Sequence, residues 1–88
     1  MKMLPIGFSN YVSPIHIISI LSPESSPIKR LIADTKEKGM LIDASFGRST
    51  RSVLVTDSGN VILSSQPADV LSSKLDEILN SEEDIKNG

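Results

Sequence analysis

The sequence predicts a small α+β domain of about five short strands and two helices, in the order β-β-α-β-β-β-α. Three observations carry that prediction. Short runs rich in Ile, Leu and Val recur between clusters of Ser, Pro, Asn and Gly, the pattern of strands and turns. Two longer segments instead place apolar residues at helical spacing behind a Ser-Pro or Gln-Pro start. The 88 residues lack Cys and hold a single His, so neither a disulfide nor a structural metal is on hand to stabilise so small a core.

Taken in order, Met3–Phe8 and Ile15–Leu21 read as strands, separated by Asn10, Ser13 and Pro14. Pro5 lacks a ladder donor and marks the first as an edge strand or a loosely paired arm. After a loop at Ser22–Ser26, Ser26 is the expected N-cap of a helix, with Pro27 at its first position and Gly39 just past its end. Ile28, Leu31, Ile32 and Thr35 fall on one face of that helix, with Lys29, Arg30, Asp34, Glu37 and Lys38 outward. Met40–Ala44 and Arg51–Thr56 are strands on either side of a basic turn. Asp57-Ser58-Gly59-Asn60 suits a hairpin built on a type I turn with Gly in the left-handed region, and leads into a strand at Val61–Ser64. Pro67 opens a second helix that aligns Leu71, Leu75, Ile78 and Leu79. Residues 1–80 are thus expected to form a single domain, with 81–88 a polar, frayed tail.

The formal charge of −2 conceals a division along the chain. Residues 1–66 carry seven Lys and Arg against five acids, whereas residues 67–88 carry two Lys against six acids. A mildly basic body ahead of an acidic segment permits an anionic partner. The absence of Cys fits a reducing cytoplasm. Pro5, Ser9, Asn10 and Ser13 break the N-terminal apolar residues, which argues against a signal peptide. No apolar run approaches the ~18 residues of a membrane span, so a membrane is not an expected partner. A domain of this size is marginal alone, and self-association is its most natural further source of stability.

The residues most suggestive of chemistry are Gly47-Arg48-Ser49-Thr50-Arg51, where two cations flank two hydroxyls on an exposed turn. Arg presents a planar fork that binds two phosphate oxygens at once. The plain alternative is a solvated loop end. Lys29 and Arg30 lie at the start of a helix, where the macrodipole disfavours cations and free N–H groups attract anions. They could contact phosphate there, or simply pair with an acid such as Asp34. Catalysis is not expected. His16 sits in a predicted strand with no obvious carboxylate neighbour, and no phosphate-cradling Gly loop is present. Neither a cofactor nor a small-molecule substrate is therefore expected. Single-strand binding draws on exposed aromatics. The chain offers only Phe8, Tyr11 and Phe46, and Phe46 is expected to close the core beneath the turn rather than to wedge or stack.

The string Ser22-Pro23-Glu24-Ser25-Ser26-Pro27-Ile28-Lys29-Arg30, the run Lys38–Arg51, the stretch Val53–Ser64 and Gln66-Pro67 resemble the RemA family of bacterial regulators of extracellular-matrix genes. The resemblance spans roughly residues 4–67 and leaves 70–88 outside. It implies a cytoplasmic, nucleoid-associated transcriptional regulator of matrix (biofilm) genes, assembled as a homo-oligomeric ring that binds double-stranded DNA on a basic rim. The implied fold is partly like that of LytTR-type DNA-binding domains. By position, the DNA-facing residues would be His16, Arg48, Ser49 and Arg51, with Lys29 and Arg30 in support. The family pattern has Arg where this chain has His16 and a second Arg at Ser49, which removes about two cations per subunit. Recognition of DNA through backbone and shape, by wrapping or bending, suits a surface with few readers of base edges. A non-catalytic assembly or adaptor module with a protein partner is the alternative.

Overall fold

Alternation along the central strands gives this sheet two apolar faces, and each is covered by a different part of the chain. The computed structural model describes residues 2–87, with side chains as far as Ser81. Its elements are β1 (Leu4–Gly7), β2 (Asn10–Val12), a single 3-10 turn at Pro14–His16, β3 (Ile17–Leu21), α1 (Ser26–Glu37), β4 (Leu41–Asp43), β5 (Ser52–Thr56), β6 (Val61–Ser64) and α2 (Ala68–Asn87). β1 and β2 form an antiparallel hairpin, and the other four strands form a mixed sheet in the order β3-β5-β6-β4. Only β4 and β6 run parallel. The class is α+β, as the sequence predicts.

On one face, Leu54 and Ile62 meet Leu4 and Ile6 of the hairpin and Leu71, Leu75 and Ile78 of α2. On the other, Val53, Val61 and Leu63 take Ile28, Leu31 and Ile32 of α1. Each buried aliphatic side chain contributes about 1.5–3 kcal/mol relative to exposure. The expected stripe of α1 is therefore the one that packs, and Thr35 completes it by donating its hydroxyl to the Leu31 carbonyl. The stripe of α2 ends sooner than expected, because Leu79 is exposed.

Local punctuation explains most element boundaries. Ser25, not Ser26, is the N-cap of α1, which moves Pro27 to the second helical position. Gly39 ends the helix at φ 73°, with its N–H on Lys36 O and Met40 N–H on Thr35 O, a Schellman arrangement. β1 pairs only with β2, consistent with Pro5 at an edge. The second expected strand divides, since Pro14 starts a 3-10 turn over Pro14–His16 before β3 begins at Ile17. β2 is the strand that the sequence pattern does not reveal; it pairs across a turn whose central residues, Phe8 and Ser9, have φ of 53° and 63°. The β5–β6 turn is as expected, with Gly59 at φ 87° and its N–H on Thr56 O. The expectation of a frayed tail at 81–88 falls mostly on residues whose side chains lie outside the described set. No helix among the described residues is long and apolar enough to cross a membrane.

Ser52 and Ser64 face each other on neighbouring strands, and both are fully buried. Ser64 Oγ donates to Ile6 O at 2.7 Å and accepts from Gln66 N–H at 3.0 Å. Ser52 Oγ has no partner among the described residues. Ser64→Ala strands a buried carbonyl and an amide, and is expected to lower stability by about 1–3 kcal/mol. Ser52→Ala removes an unsatisfied hydroxyl and is expected to be neutral or stabilising. Urea denaturation of the two variants checks the contrast; equal losses would contradict it.

Candidate nucleic-acid interface

The basic turn does not cap a hairpin. β6 lies between β4 and β5, so residues 44–51 cross over the end of β6 instead of joining paired strands. The crossing is tied at both ends: Ala44 N–H donates to Leu63 O at 2.9 Å, and Arg51 N–H donates to Ser64 O at 2.8 Å. Asp43 Oδ1 accepts the Ser45 backbone N–H at 2.9 Å and the Ser45 hydroxyl at 2.5 Å. Arg48 N–H then closes a turn on Ser45 O at 3.0 Å. Phe46 and Gly47, at the centre of that turn, have φ of 56° and 76°. Positive φ at both positions is the pattern of a type I′ turn, which Gly meets without strain and Phe does not.

Arg48, Ser49 and Arg51 are all exposed on this braced loop, and neither Arg makes an ion pair among the described residues. Arg51 shares a cleft with Thr50, Glu24, Pro67 and Asp69, so two carboxylates border it. α1 and α2 both begin at this end of the sheet. Lys29 and Arg30 are exposed there, at the fourth and fifth helical positions rather than in the first turn. The Lys29 N–H is already bonded to Ser25 O at 3.1 Å, so it is no free donor for an anion.

His16 stands at the opposite end. The next residue, Ile17, pairs with Thr56, which closes β5 about 16 Å along that strand from Arg51. It also has the carboxylate neighbour that the sequence conceals: the Nδ1–H of His16 donates to Asp57 Oδ2 at 2.9 Å, and Asp57 N–H returns to His16 O at 3.0 Å. Both side chains are exposed, so the pair lies at the surface with a carboxylate directly against the imidazole. Within one chain, the six candidate residues therefore divide into the Arg48–Arg51 loop with the start of α1 at one end, and His16 at the other.

Phe46 does not close the core; it is 76% exposed. It stacks on Phe8 of the β1–β2 turn, with ring centroids 4.9 Å apart and planes at 23°. Phe8 is 45% exposed and Tyr11 is exposed as well, so no aromatic ring of this chain is buried. Holding Phe8, Ser9 and Phe46 at positive φ costs about 1–3 kcal/mol each. Their stacking returns only about 0.5–1.5 kcal/mol. The Ser64–Ile6 and Asp43–Ser45 bonds must hold the two turns in place. Sequence spacing gives no sign of this pair, because its members are 38 positions apart.

The RemA-like profile, described as Extracellular matrix regulatory protein A-like, matches residues 3–75. This chain belongs to the RemA-like family. The RemA-like match reaches residue 75, so the first turns of α2 lie within it, beyond the limit that the motifs alone suggested. A protein of Carboxydothermus hydrogenoformans named "Putative regulatory protein" is 50% identical over 84 residues, 96% of this chain and 97% of its own length. Similarly named proteins of Cyanothece sp. and Geobacillus thermodenitrificans are 59% and 52% identical, covering 78% and 85% of this chain and 77% and 86% of their own.

The bracket at Asp43 predicts a pH dependence. Its bonds from the Ser45 hydroxyl and backbone N–H hold the carboxyl below its usual value, against a small opposing effect of burial. A depressed folded value means stability that is present above the usual carboxylate range and lost as pH falls through the folded value. Parent protein is expected to resist urea better than Asp43→Asn at pH 7, with the gap closing in acid. A gap that persists or widens in acid would contradict the bracket.

Proposed function

We propose that this protein is a regulator that binds double-stranded DNA through backbone and shape, and that copies of the chain assemble into a ring. The observation that carries the reading is the braced loop holding Arg48 and Arg51 exposed and without ion-pair partners among the described residues. A backbone tied in this way presents its guanidinium groups to phosphate without first having to order the loop. The names of the relatives support a regulatory role. Control of extracellular-matrix genes, and a place on the nucleoid, follow from the family on this reading.

Assembly draws support from the sheet. Its edges are β3 and β4, and each exposes apolar residues: Ile18 on β3 and Ile42 on β4 are 65% and 49% exposed, with Ile15 close by. Unlike surfaces at opposite edges suit a head-to-tail contact, which closes into a ring when the rotation permits. Light scattering behind a sizing column is expected to show a discrete oligomer well above 9.5 kDa. Ile18→Glu is expected to reduce it to smaller species. A parent that runs as a monomer at tens of micromolar would favour the adaptor reading.

Duplex binding is tested by mobility shift at two salt concentrations. Affinity is expected to fall steeply with salt, since counterion release scales with phosphates neutralised. Arg48→Ala with Arg51→Ala is expected to abolish binding while the oligomer persists. Ser49→Arg adds an exposed cation, changes stability by no more than about 0.5 kcal/mol, and steepens the salt slope by up to roughly one contact per engaged subunit. If the double variant still binds and Ser49→Arg leaves the slope unchanged, the loop is not the site.

A further inference from the structure

Two turns of this chain share an improbable feature. In Gly7–Asn10 and in Ser45–Arg48 both central residues have positive φ, and in each the first of them is Phe. Asn, Asp and Gly are the residues that such positions favour. Neither Phe belongs to a core cluster; the two stack on each other, and Phe8 stays 45% and Phe46 76% exposed. The chain thus sets a paired aromatic prow at the end of the sheet, two residues from Arg48 and five from Arg51.

The chemistry of the surroundings selects the occupant. Flat apolar rings flanked by exposed guanidinium groups match a partner with an anionic backbone and flat stacked groups, which is nucleic acid. A single strand would need a row of rings for successive bases. Here there is one pair, braced from beneath by the Ser64–Ile6 and Asp43–Ser45 bonds. We infer that Phe8 and Phe46 form a wedge that enters between base pairs of duplex held by Arg48 and Arg51, unstacking one step and kinking the DNA. This rests on the duplex-binding reading above and adds how bending is produced. Pyrimidine–purine steps, which unstack most readily, are the expected points of entry.

The test uses the full-length protein and a short duplex carrying 2-aminopurine beside a central TA step, with donor and acceptor dyes at its ends. Parent protein is expected to raise the 2-aminopurine emission severalfold and to bring the ends closer. In the double variant Phe8→Asn, Phe46→Asn, the new side chains suit positive φ. This variant is expected to keep its oligomer and its salt slope, to lose about threefold to tenfold in affinity, and to lose both optical signals. Because the chain has no Trp, Phe46→Trp supplies a sole indole whose emission is expected to be quenched by duplex. A double variant that unstacks and bends DNA like the parent overturns the wedge and leaves duplex binding intact. So does an indole indifferent to duplex. Loss of the oligomer or a lower urea midpoint in the double variant would make the pair a packing contact, and tighter binding of single strand than duplex would make it a base platform. A parent that ignores duplex at ~50 mM salt sinks the underlying reading itself.

Discussion

The hydroxyl and carbonyl of Ser64 tie three parts of this molecule to one point. The carbonyl receives Arg51 N–H and so sets where the basic loop rejoins the sheet. The hydroxyl holds Ile6 of the hairpin and the Gln66 amide on the approach to α2. The hairpin, the basic loop and the approach to α2 thus meet at one fully buried residue at the end of β6. A hydroxyl in this place is worth more than its net hydrogen-bond energy, because without it the buried Ile6 carbonyl loses this partner. It also explains how Phe8 and Phe46 face each other: one hangs from β1 and the other from the crossing loop, and both are referred to β6.

That loop is built rather than merely exposed. Crossing β6 forces the chain to turn sharply after β4, and Asp43 answers by bracketing Ser45 from below. Gly47 supplies one of the two positive φ values, and Phe46 bears the other under strain. The result is a segment whose backbone is tied at Ala44, Ser45, Arg48 and Arg51, so its side chains project from a fixed base. Fixing the backbone before any ligand arrives removes a large part of the ordering cost of binding.

Much of this fold is legible locally and little of the site is. Both helices announce themselves by Pro near the start and an aliphatic stripe, and α1 adds Gly39 at its end, since those signals arise within a few residues. The β5–β6 turn is legible for the same reason. β2 is hidden because its hairpin turns on Phe8 and Ser9, residues that do not advertise positive φ. The insertion of β6 between β4 and β5 depends on pairing across 20 positions, which no local pattern encodes. His16 and Asp57, and Phe8 and Phe46, meet for the same non-local reason. Arg48 and Arg51 could be singled out from sequence, but their bracing could not.

The distribution of charge favours the proposed ring as the carrier of the proposed function. Asp57 offsets His16 at the far end, Ser49 brings no cation, and Glu24 and Asp69 border the cleft of Arg51. α2 carries much of the remaining acidity away from the arginine end, with Asp76 about 12 Å along its axis. The braced loop of one subunit therefore offers two cations, with Lys29 and Arg30 exposed at the same end at the start of α1. At a slope of about −0.9 per phosphate neutralised, two contacts give weak binding that salt erodes only gently. Repeating the loop around a closed assembly multiplies the contacts without new chemistry, and the second and later contacts form at the high effective concentration set by the ring itself. A duplex that follows such a rim must bend, which costs of order 1–6 kcal/mol over 20–30 base pairs. Contacts spaced around the circumference offset that cost only if several subunits engage together, so on this reading assembly, affinity and bending stand or fall as one property.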